Sequence, residues 1–456
     1  MTFRHQVLKL HPATLILASF LAVIVAGAAL LQLPWSTVSG HIRWIDALFT
    51  ATSAVCVTGL VVVDTGSYFT VFGQLVILSM IQVGGLGVMT VSVALFQWAG
   101  RMVSFRQRMI MQDLFAHTPR KDILGLVRST VLFTLGAEAL GAVVLALAWS
   151  RTLPWPEAIY TAVFHSVSAF CNAGFSLFAD SLMAWRGDGL INLAVCLLIV
   201  FGGIGFPVIY ELQSRLVHPG KRARLSIHTK TVLITTGILI VGGALMFAFL
   251  ERSLVTDCAV PLSSRLLVPL FQSVTSRTAG FNTVDIGALN EATLALIIFL
   301  MFFGASPGSC GGGVKTTTLA VITAFTVSRI RRCARVNIFH KSLPPETVSR
   351  SIALILVAVA IVSLVLFMLL AGEAIHEEVD AAAHPSFLAY LFETVSAFGT
   401  VGLSMGVTPL LSLWGKVWII LTMLVGRVGV LTFAYIIVGA GAINGIQYAE
   451  ENLMTG

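Results

Sequence analysis

Four short stretches of this chain close in the same way: 52–60 (TSAVCVTGL), 166–175 (SVSAFCNAGF), 273–281 (SVTSRTAGF) and 394–403 (TVSAFGTVGL). Their closing glycines are Gly59, Gly174, Gly280 and Gly402, so a unit of about 110 residues occurs four times. The side chains just before the glycines differ freely (Thr58, Ala173, Ala279, Val401), which points to main-chain oxygen as the working group. In the first turn the candidate oxygens belong to Val55, Cys56, Val57 and Thr58, and in the second to Phe170, Cys171, Asn172 and Ala173. Arg277, Thr278 and Ala279 supply them in the third, and Gly399, Thr400 and Val401 in the fourth. Carbonyls aimed at one axis can replace the hydration shell of a cation, and glycine permits backbone conformations that a Cβ would block. The competing reading is an ordinary set of turns in a helix bundle, but four turns at matched positions weigh against it.

The elements that must position these turns follow from composition. With 57% hydrophobic and 11% charged residues over 456 positions, the chain is a polytopic membrane protein, all-α in class. Long apolar runs lie at 15–33, 70–98, 131–149, 189–212, 232–250, 292–322, 352–370 and 414–438, each reaching the roughly 20 residues of a spanning helix. Shorter, more polar runs at 42–55, 155–170, 262–276 and 385–398 suit helices that enter the membrane and turn back at the glycine. The organisation expected is four span–half-helix–span repeats around a pseudo-fourfold central pore, at 1–100, 131–213, 231–328 and 351–440. Basic connections occupy 101–130, 214–230 and 329–350, and a cytoplasmic tail 441–456. A half-helix that stops at mid-membrane points the negative end of its dipole there, which favours a cation. The run 15–33 is long enough to span, so no cleavable leader is expected.

Most of the 28 basic residues lie on one side of this plan. They are Arg4 and Lys9, then Arg101, Arg106, Arg108, Arg120, Lys121 and Arg128, then Arg215, Lys221, Arg222, Arg224 and Lys230, then Arg329, Arg331, Arg332, Arg335, Lys341 and Arg350. By the positive-inside rule that side, with both termini, is cytoplasmic. Glu373, Glu377, Glu378 and Asp380 mark the other side. The net charge of +7 therefore describes topology rather than nucleic-acid binding. Anionic lipid and a docked regulatory partner are both open as ligands of the basic connections.

Further along each unit a second small-residue segment recurs at nearly equal spacing: Gly84 (GGLG), Gly202 (GGIG), Gly304 (GASPG) and Gly426 (GRVG). In the third unit it expands into GASPGSCGGGVKTTT, where Pro307, Gly308, Gly311, Gly312 and Gly313 break any helix and Lys315 marks its cytoplasmic end. In the fourth, Arg427 takes the position of Gly85 and Gly203. An arginine in mid-span is costly and marks function, here a pore-facing charge; a structural pairing with the buried acid Glu138 is the alternative. The segment is not a P-loop, since Val314 separates Gly313 from Lys315 and no strand precedes it. The six cysteines show no metal-ligand spacing and read as packing residues; HExxH and paired catalytic acids are absent, so no enzyme is expected.

The four turns, the order of elements and the GASPGSCGGGVKTTT stretch together resemble the membrane subunit, of KtrB type, of the Ktr/Trk/HKT superfamily of potassium transporters. The resemblance covers essentially the whole chain, without the extra hairpin expected ahead of the first unit in Trk-type relatives. It implies potassium uptake across the inner membrane, with glycine at all four filter positions as in potassium-permeable members and a constriction formed by the 304–318 segment and Arg427. It also implies a homodimer, a cytoplasmic nucleotide-binding (RCK-type) regulatory ring, stimulation by sodium, and no covalent cofactor. A Trk-like symporter coupled to protons or sodium is the alternative within the family. The third turn is one residue shorter than the others.

Overall fold

The computed structural model describes residues 12–87, 123–217, 225–252, 262–375 and 385–429. Arg4, Lys9, Arg101, Arg106, Arg108, Arg120, Lys121, Lys221, Arg222 and Arg224, the acids Glu377, Glu378 and Asp380, and the tail 441–456 lie outside the described residues. Unit one holds α1 (Pro12–Leu31), α2 (Trp44–Val55) and α3 (Val71–Leu86). Unit two holds α4 (Ile123–Trp149), α5 (Trp155–Phe170), α6 (Gly189–Ile204) and α7 (Phe206–Val217). Unit three holds α8 (Ile227–Leu250), α9 (Leu262–Thr275), α10 (Glu291–Phe302) and α11 (Thr316–Ile330). Unit four holds α12 (Pro345–Ile375), α13 (Phe387–Gly399) and α14 (Leu413–Val428). Two-residue strands β1 (Asn337–Ile338) and β2 (Lys341–Ser342) pair antiparallel in the third connection.

Caps set several of these boundaries. The hydroxyls of Thr70, Ser226, Ser386 and Ser412 and the carboxylate of Asp188 accept from first-turn amides of α3, α8, α13, α14 and α6. Val127–Trp149, Ile227–Leu250 and Pro345–Gly372 are long and apolar enough to cross a membrane. Their outer faces leave Leu140, Leu245 and Leu356 about two-thirds exposed, a surface that suits lipid rather than water. The half-helices α2, α5, α9 and α13 have 12, 16, 14 and 13 residues. At about 1.5 Å per residue they are too short to cross.

The second helix of each unit departs from the expected single span. The run 189–212 is two helices meeting at 98° about Gly205. The run 292–322 stops at Phe302, is irregular over 303–315, and resumes as α11 to Ile330. Helices α3 and α14 end at Leu86 and Val428, before Gly87 and Gly429, and the remainders of those two runs, 88–98 and 430–438, lie outside the described residues. Three of the breaks share one cause: Gly87, Gly205 and Gly429 have φ of +82°, +100° and +99°, a conformation that a helix cannot contain.

Three apolar clusters fill the seams between units. One joins units one and four with Phe164 and Phe175 of unit two, one joins units two and three, and one joins units three and four. The ring is also fastened by a buried ion pair. Lys416 Nζ of α14 lies 2.7 Å from Asp46 Oδ1 of α2, and Arg43 Nε is 2.7 Å from the other oxygen. A buried charge left without its partner is strongly destabilising, so this pair ties the last unit to the first.

Candidate functional site: a glycine ring and the segment beneath it

Each half-helix unwinds in the same manner. In units one, two and four the amides of Thr58, Ala173 and Val401 donate five residues back, to the carbonyls of Ser53, Ser168 and Ser396, at 2.7–2.9 Å. In unit three Ala279 N reaches only four back, to Thr275, at 2.9 Å. The residue missing from the third turn thus converts a wider turn into an α-turn. The same hydroxyl residues steady the glycine end of each turn. Ser53 and Ser396 accept from the amides of Gly59 and Gly402 at 3.0 and 3.1 Å, while Ser168 and Thr275 donate to the carbonyls of Phe175 and Phe281.

Two residues before each glycine the chain enters the left-handed region, at Val57, Asn172, Thr278 and Thr400, with φ of +56°, +58°, +75° and +49°. For β-branched valine and threonine this costs on the order of 1–3 kcal/mol and persists only where the surroundings impose it. Its effect is to turn successive carbonyls toward different sides. The carbonyls of Val55, Phe170 and Phe398 face Gly84, Gly202 and Gly426 of the second helices, where any Cβ would overlap them. Those glycines therefore seat the half-helices, a role that their spacing alone did not specify.

The glycines themselves form a closed ring. A Cβ on Gly59 would strike Ala173 O, and one on Gly174 would lie 2.8 Å from Ala279 O. One on Gly280 would strike Val401 O, and one on Gly402 would strike Thr58 O. The order is one to two, two to three, three to four and four back to one.

The irregular segment 303–315 packs directly below. Gly312 N donates to Thr400 Oγ1 at 2.8 Å and Gly313 N to Gly426 O at 3.2 Å. Cys310 N donates to Gly202 O at 3.1 Å, and Gly308 O accepts from Phe206 N at 2.9 Å across the bend of unit two. Gly311 lies against Thr278, leaving no room for a side chain. Pro307 O faces Gly205. Lys315 folds back so that Nζ donates to Gly311 O at 2.8 Å. The segment thereby touches units two, three and four.

Arg427 supplies the remaining link. Its guanidinium donates to Cys310 O in the segment and to Gly84 O in unit one. It does not pair with Glu138, whose carboxylate accepts from Gln82 Nε2 at 3.1 Å, so that alternative is not the arrangement seen. Spacing could not separate the two readings because both acceptors of Arg427 are backbone oxygens. A second arginine also has a role the sequence did not reveal. Arg277 is buried behind the third turn, with Nη2 3.0 Å from Gly304 O and 3.3 Å from Thr236 Oγ1.

A sequence profile of the TrkH family, described as cation transport protein, matches residues 4–440. The chain is 40% identical over 444 residues to the Ktr system potassium uptake protein B of Vibrio alginolyticus, covering 97% of this chain and 94% of that protein. Identity to the protein of the same name from Bacillus subtilis (strain 168) is 37%, covering 98% and 97%. The potassium/sodium uptake protein NtpJ of Enterococcus hirae is 35% identical, covering 98% of both. The fold is similar to the crystal structure of the potassium transporter TrkH from Vibrio parahaemolyticus, with a TM-score of 0.68 at 19% identity, covering 91% of this chain and 84% of that one. With its helical membrane architecture and a family match along nearly its whole length, the chain belongs to the TrkH family of cation transport proteins.

Proposed function

We propose that this protein takes up potassium through a pore on the axis of the glycine ring. The observation that carries the reading is the closure of that ring: each of Gly59, Gly174, Gly280 and Gly402 abuts the carbonyl that precedes the next. Four main-chain turns at the ends of four half-helices offer a cation oxygen ligands and negative dipole ends, with no ionised side chain to bind it too tightly. The filter comprises the residues from Cys56, Cys171, Arg277 and Gly399 to the four glycines; the carbonyl of Val55, expected among the ligands, is turned to Gly84 and seats the half-helix instead. Gly304, Pro307, Gly308, Gly311, Gly312, Gly313, Lys315 and Arg427 form the gate beneath it, closed when the segment is seated.

The names of the relatives support potassium as the ion, with sodium as a second candidate. The reading includes a bacterial inner-membrane location, cytoplasmic termini, a homodimer, sodium stimulation and a cytoplasmic nucleotide-binding regulatory ring on the basic connections. Purified protein in lipid vesicles tests it. Rubidium uptake that follows the potassium gradient alone supports a pore, whereas uptake that needs a proton or sodium gradient would indicate a symporter.

A further inference from the structure

We propose that His165, Gln272 and Glu393 are positioning residues that brace the chain where it leaves three of the four filter turns, and that this bracing sets how strongly potassium is preferred to sodium. The inference rests on the reading of the glycine ring as the filter. The three residues stand at one register of the repeat. Each directly follows a buried phenylalanine (Phe164, Phe271, Phe392) and lies three residues before the hydroxyl residue that steadies its glycine. All three are fully buried.

Each crosses to a hydroxyl just past the glycine of its own turn. His165 Nε2 lies 3.0 Å from Ser176 Oγ, two residues beyond Gly174. Gln272 Nε2 donates to Thr283 Oγ1 at 3.3 Å, three residues beyond Gly280. One carboxylate oxygen of Glu393 accepts from Ser404 Oγ, two residues beyond Gly402, and the other accepts from Thr408 Oγ1 at 2.9 Å. The surroundings of His165 fix the sense of its bond. Nδ1 faces the carbonyl of Thr161 at 2.8 Å and so carries the ring hydrogen, while Ser176 Oγ accepts from the Phe178 amide and keeps its own hydrogen for Nε2. An imidazole, an amide and a carboxylate differ in charge and in acid strength. What they share is a hydrogen bond from the half-helix to the departing chain.

Among the described residues unit one has no such brace. The matched Thr50 donates to Asp46 O of its own helix at 2.8 Å, and Val61 stands two residues beyond Gly59, where Ser176 and Ser404 stand in their units. Buried polar groups must find partners, and any set of unrelated bonds would meet that need. Three bonds at one register, each closing the same loop around a glycine, do more. The left-handed residues Asn172, Thr278 and Thr400 lie inside those loops, and strained backbone of that kind keeps its form only where its surroundings hold it. The hydroxyls nearer the turn steady the glycine end, and the braces hold the chain beyond it. The carbonyls between are then not free to shift toward a smaller ion.

The test uses the full-length protein in lipid vesicles, with the ratio of rubidium to sodium uptake measured per folded molecule. Ser176→Ala removes only a hydroxyl outside the filter, and it should lower the ratio by about three- to tenfold, as should His165→Ala and Glu393→Ala. The double variant His165→Ala, Ser176→Ala should be no worse than either single change, because both remove one bond. His165→Gln and Glu393→Gln install the side chain that unit three already carries at this register, and should restore most of the ratio. Thr50→Ala should leave it unchanged. The proposal is overturned if the alanine variants lower the amount of folded protein yet keep the ratio, which makes the bonds structural only. It is also overturned if either glutamine variant loses as much as its alanine counterpart, which makes the charge or the ring the cause instead of the bond. Gly174→Ser separates the underlying reading. A ratio that it changes while the brace variants do not leaves the filter standing and removes only the braces, whereas a ratio that neither changes removes the filter as well.

Discussion

Replacing Arg427 by alanine removes the side chain that joins the irregular segment to unit one. Two charge-assisted hydrogen bonds are lost, to Cys310 O and Gly84 O. Each such bond contributes about 1.5–3 kcal/mol net. Water reaching the freed carbonyls returns part of this, so we take the lower end, about 3 kcal/mol, for the pair. At about 1.4 kcal/mol per tenfold, the balance between seated and lifted segment shifts by roughly a hundredfold. The fixed charge adds a barrier of its own: a unit charge about 5 Å from a passing cation, at an effective dielectric constant of about 20, opposes it by roughly 3 kcal/mol before ions screen it. Unregulated rubidium flux per molecule, measured in vesicles at matched protein content, should therefore rise about ten- to a hundredfold. Arg427→Lys should fall between, because a compact ammonium cannot span both carbonyls as the planar fork does. Deleting 308–313 should raise flux as well, and combining the deletion with Arg427→Ala should add little, since both remove one barrier. Unchanged flux in Arg427→Ala, or full multiplication of the two effects, would refute the shared-barrier argument.

Gly59→Ser should weaken the preference for potassium over sodium, because its Cβ strikes Ala173 O at a φ of +91°; an unchanged permeability ratio at normal expression counts against the filter assignment. Asp46→Asn, which strands the buried Lys416, should destabilise the folded protein by about 3–5 kcal/mol, seen as a lower thermal midpoint in detergent. The double variant Asp46→Leu, Lys416→Met should recover most of that loss, and failure to recover would mean the pair does more than fasten the ring. Cysteines placed at Arg106, Arg222 and Arg332 should resist an impermeant reagent outside intact cells; efficient external labelling would reverse the topology. Glu138→Gln should lower the amount of folded protein and leave the effect of Arg427→Ala intact, since Glu138 bonds Gln82 instead. Loss of the Arg427 effect in that background would restore the rejected pairing.

The repeat is legible in the sequence: four glycines, four half-helices and the expanded segment of unit three all stand out by spacing. The breaks in the second helices are hidden because apolar residues continue through them, so hydropathy sees one span where Gly205 divides two. The left-handed turns at Val57 and Thr400 run against the preference of β-branched residues and could not be read from type. Asn172, a residue that tolerates that conformation, is the one hint. Lys416 and Asp46 are 370 residues apart, and no pattern links them. Spacing assigns Arg277 only a carbonyl, while its guanidinium works behind the turn, because a side chain's direction depends on the packing around it.

The ring of glycines is a head-to-tail joint repeated four times, the kind of contact that closes only if the rotation comes out even. An assembly of four identical subunits has to alter all four joints at once. Here each joint is encoded separately, so one can change while three hold. The α-turn of unit three is such a change already made, leaving a ring with one corner built on a shorter turn than the rest. Strain from a substitution at one glycine passes to the unit ahead of it in the sequence of contacts, so compensating mutations for Gly59 variants belong in the turn of Ala173 and Gly174.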